Sequence, residues 1–186
     1  TQPFHGCNRG SNPLGITILF INKLIIMKNI QKMTKITELE VVTAQELWAQ
    51  NVIEIGNLYI NNEDYKSRAS VFVKQFYAFD VGDVLFKPTL ASEKQFRCTY
   101  DDALSYFIGG HISEDKGFAL KPWKKINFGE RKIIILKEIA LSMGNYFFQS
   151  IDGGDEVKVE FTFGYVKDKD NNLLINLHHS SIPYTN

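Results

Sequence analysis

The residues best suited to chemistry lie near the end of the chain, in Leu177-His178-His179-Ser180-Ser181-Ile182-Pro183. Two imidazoles and two hydroxyls follow an apolar run, Leu173-Leu174-Ile175, that reads as the last strand of a sheet. Side chains alternate between the two faces of a strand, so Leu173, Ile175, Leu177, His179 and Ser181 fall on one face. Leu174, Asn176, His178 and Ser180 fall on the other. By this count His179 and Ser181 continue the apolar row and are expected at the polar rim of an apolar pocket.

Several chemistries can be weighed against these residues. The chain has four histidines, His5, His111, His178 and His179. The last two are neighbours on a strand and point to opposite faces, which makes a three-histidine zinc site hard to build. No DxD or HExxH spacing supports another metal, so none is expected. Ser180 and Ser181 have no GxSxG elbow around them, and Ser181 diverges from His179 two positions away, which disfavours an acyl-enzyme. Gly109-Gly110 and Gly153-Gly154 lack the Lys-Ser/Thr of a phosphate loop and read as turns. What remains is a set of neutral hydrogen-bonding groups, Thr89, Tyr106, His179 and Ser181. Each also has an ordinary structural reading, because such side chains are commonly half-buried and satisfied.

Composition narrows the classes further. Among 186 residues, 21 Lys and Arg balance 21 Asp and Glu, so no net basic field speaks for nucleic acid. With 44% apolar and 13% aromatic residues the chain can bury a core and is not a disordered type. Two cysteines far apart, Cys7 and Cys98, form no disulfide framework and no CxxC knuckle, and a reducing, cytoplasmic setting is expected. Residues 1–33 read as a leader, non-native or upstream-translated, with the native start expected at Met27 or Met33. Their apolar stretch, Leu14 to Met27, is too short and interrupted for a membrane span. A signal peptide is the rival reading, against which stand the weakly basic start and the missing small-residue cleavage pattern.

Residues 34–186 are expected to form one domain. Thr43-Ala44-Gln45-Glu46 is a capping-box pattern opening a helix, with Trp48, Val52, Ile55 and Tyr59 recurring along it. Asn61-Asn62 interrupts, and a second helix carries Tyr65, Ala69, Phe72, Val73 and Phe76 on its core-facing side. Val84 and Phe86 alternate with Asp83, Leu85 and Lys87 before Pro88 ends a strand. Thr99 caps a short helix that Gly109-Gly110 stops. Four strands follow, over 123–138, 139–150, 156–167 and 173–181, with turns at Asp152-Gly153-Gly154 and Asp168 to Asn172. Gly144-Asn145 suggests a bulge. Helices first and a meander afterwards predict an α+β fold, with the N-terminal helices packed on a strongly bent antiparallel sheet.

Six segments together resemble the iota-class carbonic anhydrases. They are Val84-Leu85-Phe86-Lys87-Pro88-Thr89, Ala103 to Gly110, Gly117 to Trp123, Met143 to Phe148, Phe161 to Tyr165, and Leu177 to Tyr184. That class belongs to the calcium/calmodulin-dependent protein kinase II association-domain group, within the cone-shaped fold of nuclear transport factor 2 and its relatives. The resemblance implies reversible hydration of carbon dioxide to bicarbonate. It carries the family's pocket hydroxyls onto Thr89, Tyr106 and Ser181, with His179 and Ser180 beside them and no cofactor. Phe147, Phe161 and Phe163 are expected to line the carbon dioxide end. Zinc lowers the pKa of its bound water from about 15.7 to about 7, a help that hydroxyls cannot match, so a slower enzyme is expected. A homodimer through the open sheet face is also expected, with no membrane and no nucleic acid among its partners. The alternative is a non-catalytic module of the same fold that binds a small anion or drives oligomerisation. Convergence of the polar groups separates the two.

Overall fold

A computed structural model describes residues 34–185 of the chain. The expected leader lies outside the described residues. The first helix, α1 (Glu38–Ile60), starts six residues earlier than the Thr43 box predicts. Thr37-Glu38-Leu39-Glu40 is a second T-x-x-E pattern, and it is the one used. The Thr37 hydroxyl accepts from Glu40 N–H at 3.2 Å, and the Glu40 carboxylate accepts from Thr37 N–H at 2.7 Å. The earlier start buries Val41 and Gln45 along with Trp48, Val52 and Ile55. Tyr59, expected on the same stripe, is largely exposed.

Helix α2 (Tyr65–Phe76) buries Ala69, Phe72 and Val73. Strand β1 (Leu85–Lys87) is only three residues long, with Phe86 inward and Leu85 outward. In α3 (Tyr100–Ile108), Thr99 accepts the Asp102 N–H at 3.1 Å as the cap. Gly109 then leaves the helix at φ 74°, a conformation that favours glycine. The meander consists of β2 (Trp123–Leu136), β3 (Ile139–Ser150), β4 (Val157–Lys167) and β5 (Leu173–Ser181).

The five strands form one sheet in the order β1-β5-β4-β3-β2. The sheet is mixed: β1 runs parallel to β5 at the edge, and the other pairs are antiparallel. Every second residue of β4, namely Val159, Phe161, Phe163 and Tyr165, points inward, and they meet Trp48 and its neighbours in an aromatic core. The irregularity expected at Gly144-Asn145 belongs to the facing strand. From Phe128 to Arg131, β2 spends three residues where β3, from Tyr146 to Gly144, spends two. Gly144 is needed opposite that bulge, because a Cβ there would stand 2.3 Å from the Glu130 carbonyl oxygen.

A further bulge decides the site. Gly164 pairs with Leu177, but the next residue of β4, Tyr165, pairs with Ile175, so Asn176 is an extra residue in β5. An extra residue reverses which side chains face which way beyond it. Ile175 is inward, and on the far side of the bulge the inward pair is His178 and Ser180. They sit opposite Phe163 and Phe161 respectively.

Candidate active site

The bulge overturns the expected orientation of His179 and Ser181. Both lie on the outer face, opposite Thr162 and Glu160. His179 Nδ1–H donates to the Lys87 carbonyl at 3.0 Å, and the Ser181 hydroxyl donates to the Glu160 carboxylate at 3.2 Å. One imidazole and one hydroxyl do turn inward, but they belong to the neighbouring residues. As the strand geometry requires, the two histidines point apart. Among the described residues no three His, Cys, Asp or Glu side chains gather in a metal-binding cluster.

Between the helices and the inner sheet face lies a cavity of about 640 Å³. Thr89, Tyr106, Tyr146 and Ser180 bring hydroxyls to its lining, as does Tyr59, and His178 brings an imidazole. Of the expected residues, Thr89, Tyr106 and Ser180 are therefore brought together. Phe147 points to the outer face, since the inward residues of β3 are its neighbours Tyr146 and Phe148. Phe161 and Phe163 are buried core residues beside the cavity, not part of its wall. The apolar wall comes from Phe118, Trp123, Phe148 and Val159, which the sequence reading did not single out.

Ser180 is fixed by Thr89. The Thr89 backbone N–H donates to Ser180 Oγ at 3.1 Å, and the Thr89 hydroxyl donates to the same oxygen at 2.8 Å. With its oxygen receiving two donors, Ser180 has its own proton left to give onward. Ser180 also acts on Tyr146, opposing the rise that burial imposes on the Tyr146 pKa. Thr89 reaches Ser180 because parallel pairing aligns Lys87 with His179, and Pro88 ends the strand just before the threonine.

His178 is set by packing and by a relay. Its ring lies between Phe86 and Phe163, with centroids 4.7 and 4.2 Å away, and stands edge-on to Trp48. Trp48 Nε1–H donates to the Tyr77 oxygen at 3.2 Å, and Tyr77 lies 2.9 Å from His178 Nδ1. Indole only donates, so the Tyr77 proton is free for the imidazole, and Nδ1 accepts it. The ring proton then resides on Nε2, which is buried and has no partner in the protein. Burial, with a smaller effect from His179, lowers the His178 pKa to about 3, so the ring stays neutral.

Tyr106 is brought in by α3. Its ring stacks on Phe118 and stands edge-on to Phe86, and burial raises its pKa well above that of a free phenol. The mouth of the cavity is held by ion pairs. Arg97, whose side chain is fully buried, reaches Asp115 at 2.7 Å and Glu114 at 3.2 Å. Burial works against the Arg97 charge, but its pairing with Asp115 wins and raises the pKa. Asp115 also accepts the Ser105 hydroxyl at 2.8 Å, which ties the mouth to the helix carrying Tyr106. Glu114 accepts three backbone N–H groups, from Ser92, Glu93 and Lys94, which hold its pKa at about 2. The two loops over the cavity are thereby locked to each other.

Comparison with known proteins gives the family and the fold. Residues 39–182 match the family model described as metal-independent carbonic anhydrase. A metal-independent carbonic anhydrase of Nostoc sp. is 39% identical over 158 residues, covering 80% of this chain and 75% of its own. The crystal structure of a cyanobacterial iota-carbonic anhydrase complexed with bicarbonate superposes with a TM-score of 0.78 at 36% identity. That match covers 82% of this chain and 95% of the other. An NTF2-like protein of unknown function from Pseudomonas putida shares the fold alone, with a TM-score of 0.56 at 12% identity over 80% of this chain and 87% of its own. With an inward Ser180-His178 face, a Thr89 anchor and a match that spans most of its length, this chain belongs to the metal-independent carbonic anhydrase family, on an NTF2-like α+β fold.

Proposed function

We propose that hydration of carbon dioxide takes place in this cavity, with Ser180, Tyr106 and His178 acting on the reacting oxygens and Thr89 positioning Ser180. The observation that carries the assignment is the gathering of the Thr89, Tyr106, Tyr146 and Ser180 hydroxyls with the His178 imidazole, whose buried Nε2 has no protein partner, in the lining of one cavity with a largely apolar wall. Bicarbonate bound to the cyanobacterial relative supports the same substrate class.

In the reaction, the oxygen of a water forms a bond to the carbon of carbon dioxide. One C=O π pair moves onto its oxygen, where negative charge develops. Ser180 O–H, Tyr106 O–H and His178 Nε2–H are donors for that oxygen and its neighbour. Fixed donors in a dry site stabilise developing charge without reorganising, and each is worth about 10²–10³ in rate. A neutral His178 suits this role, because an imidazolium would hold the bicarbonate product as an ion pair.

The proton leaves the attacking water for solvent. A general base works best with a pKa near the working pH. The shifted groups of the cavity have all moved away from neutrality: Tyr106 and Tyr146 upward, His178 to about 3 and Glu114 to about 2. Bulk buffer base receives the proton in this reading. Stopped-flow hydration in excess chelator tests the assignment. Activity that persists and rises with buffer concentration is expected; activity lost to chelator and restored by a metal contradicts it.

The outer sheet face supports the expected homodimer. Ile134, Leu136, Ile139 and Met143 are exposed there on adjacent strands, an apolar patch of the kind that a second copy covers. Light scattering should give twice the chain mass, and Met143→Asp should give monomers. A wild-type monomer at micromolar concentration rules this out. No helix among the described residues is long and apolar enough to cross a membrane. The exposed free thiol of Cys98 fits a reducing, cytoplasmic setting.

A further inference from the structure

We propose that the cavity also accepts monocarboxylates carrying one apolar tail, a short alkyl chain or a flat aryl ring, with the carboxylate in the place of bicarbonate. The proposal rests on the reading above for the position of the anion end and extends it to a second class of ligand. Volume is the first reason. Bicarbonate has four heavy atoms, on the order of two water volumes, or about 60 Å³. The cavity is about 640 Å³, a size suited to an organic ligand.

The distribution of side chains is the second reason. The inner face of β4 steps from Phe161, opposite Ser180, to Val159, opposite Tyr146, and then to Val157, opposite Phe148. At about 3.3 Å per residue these rungs span about 13 Å. Beyond the hydroxyl end the wall is therefore aliphatic and aromatic, completed by Phe118 and Trp123. A carboxylate offers the same two oxygens as bicarbonate. Its tail replaces the bicarbonate hydroxyl and runs along these rungs. Lys121, whose ammonium lies 4.7 Å over the Trp123 ring, also lines the cavity and adds a positive charge that favours an anion.

The chain carries its own reporters, since both of its tryptophans, Trp48 and Trp123, line the cavity. The full chain is titrated with acetate, propionate, butyrate, pentanoate, hexanoate and benzoate while tryptophan fluorescence is followed. Affinity should rise about fourfold for each added methylene. The same acids should inhibit carbon dioxide hydration in competition with bicarbonate. Val159→Phe, which fills the tail path, should shorten the chain length at which the gain stops.

Affinity that stays flat from acetate to hexanoate overturns the proposal. So does a chain-length gain with no competition against bicarbonate, because the anion end is then not shared. A gain untouched by a folded Val159→Phe variant also overturns it. Tail-dependent binding that is competitive with bicarbonate in a protein without hydration activity would support this proposal while removing the catalytic reading alone.

Discussion

Acidification from about pH 6.5 to about pH 5 should destabilise this protein through one side chain, His178. Its imidazole titrates near 6.5 when unfolded and at about 3 in the fold. Above pH 6.5 both states hold the ring neutral and the residue costs nothing. Between the two values the unfolded chain binds a proton that the native state refuses, so stability falls as pH falls, by about 1.4 kcal/mol per unit. Over the 1.5 units in question the loss is about 2 kcal/mol. The acidic groups with lowered pKa, among them Glu40, Asp102, Glu114 and Asp168, begin to contribute only nearer their unfolded values around 4. The window above pH 5 thus reports mainly on the imidazole.

Urea unfolding of the wild type and of His178→Gln at several pH values measures the slope, which the variant should lose. Long-range ¹H–¹⁵N spectra give a second readout that needs no variant. They should show a neutral ring with its proton on Nε2 throughout this range. Equal slopes in the two proteins, or an imidazolium signal at pH 5.5, would refute the buried relay from Trp48 through Tyr77.

Two other substitutions separate chemistry from architecture. Tyr106→Phe keeps the ring stack on Phe118 and removes only a donor, so turnover in stopped-flow assays should fall about 10²-fold, with the unfolding midpoint nearly unchanged. Asp115→Asn leaves the buried Arg97 charge without its main partner. It should cost about 3–5 kcal/mol in urea unfolding and loosen the two mouth loops, seen as faster amide exchange at Ser92 to Lys94.

The fold was legible where burial is one-sided. Val159, Phe161, Phe163 and Tyr165 alternate with polar residues because β4 is covered on one face only. The α3 caps were legible because Thr99 and Gly109 satisfy backbone groups with local chemistry. The start of α1 was not, since Thr37 and Thr43 each precede a glutamate by three residues and only tertiary burial of Val41 and Gln45 separates the two choices.

The lining of the cavity was legible in part. Thr89, Tyr106 and Ser180 do line it, but the facing of β5 is the reverse of the one the simple alternation predicts. Leu173-Leu174-Ile175 has no alternation from which to read a phase, and the bulge at Asn176 reverses it. The signal that sets the phase is non-local. Phe86 aligns with His178 across the parallel edge, and an alternating partner strand fixes which imidazole is inside. Phe147, Phe161 and Phe163, the meander aromatics expected as cavity walls, are not in its lining, and the pleat of β3 puts Tyr146 and Phe148 there instead.

The most direct test sets Ser180→Ala against Ser181→Ala in chelator-treated protein, with carbon dioxide hydration followed by stopped flow. Removing the inward hydroxyl should lower turnover by about 10²–10³-fold, whereas removing the outward one should leave it within about twofold. A Ser180→Ala protein as active as the wild type, or a Ser181→Ala protein that is inactive yet folded, would contradict the inward face described here.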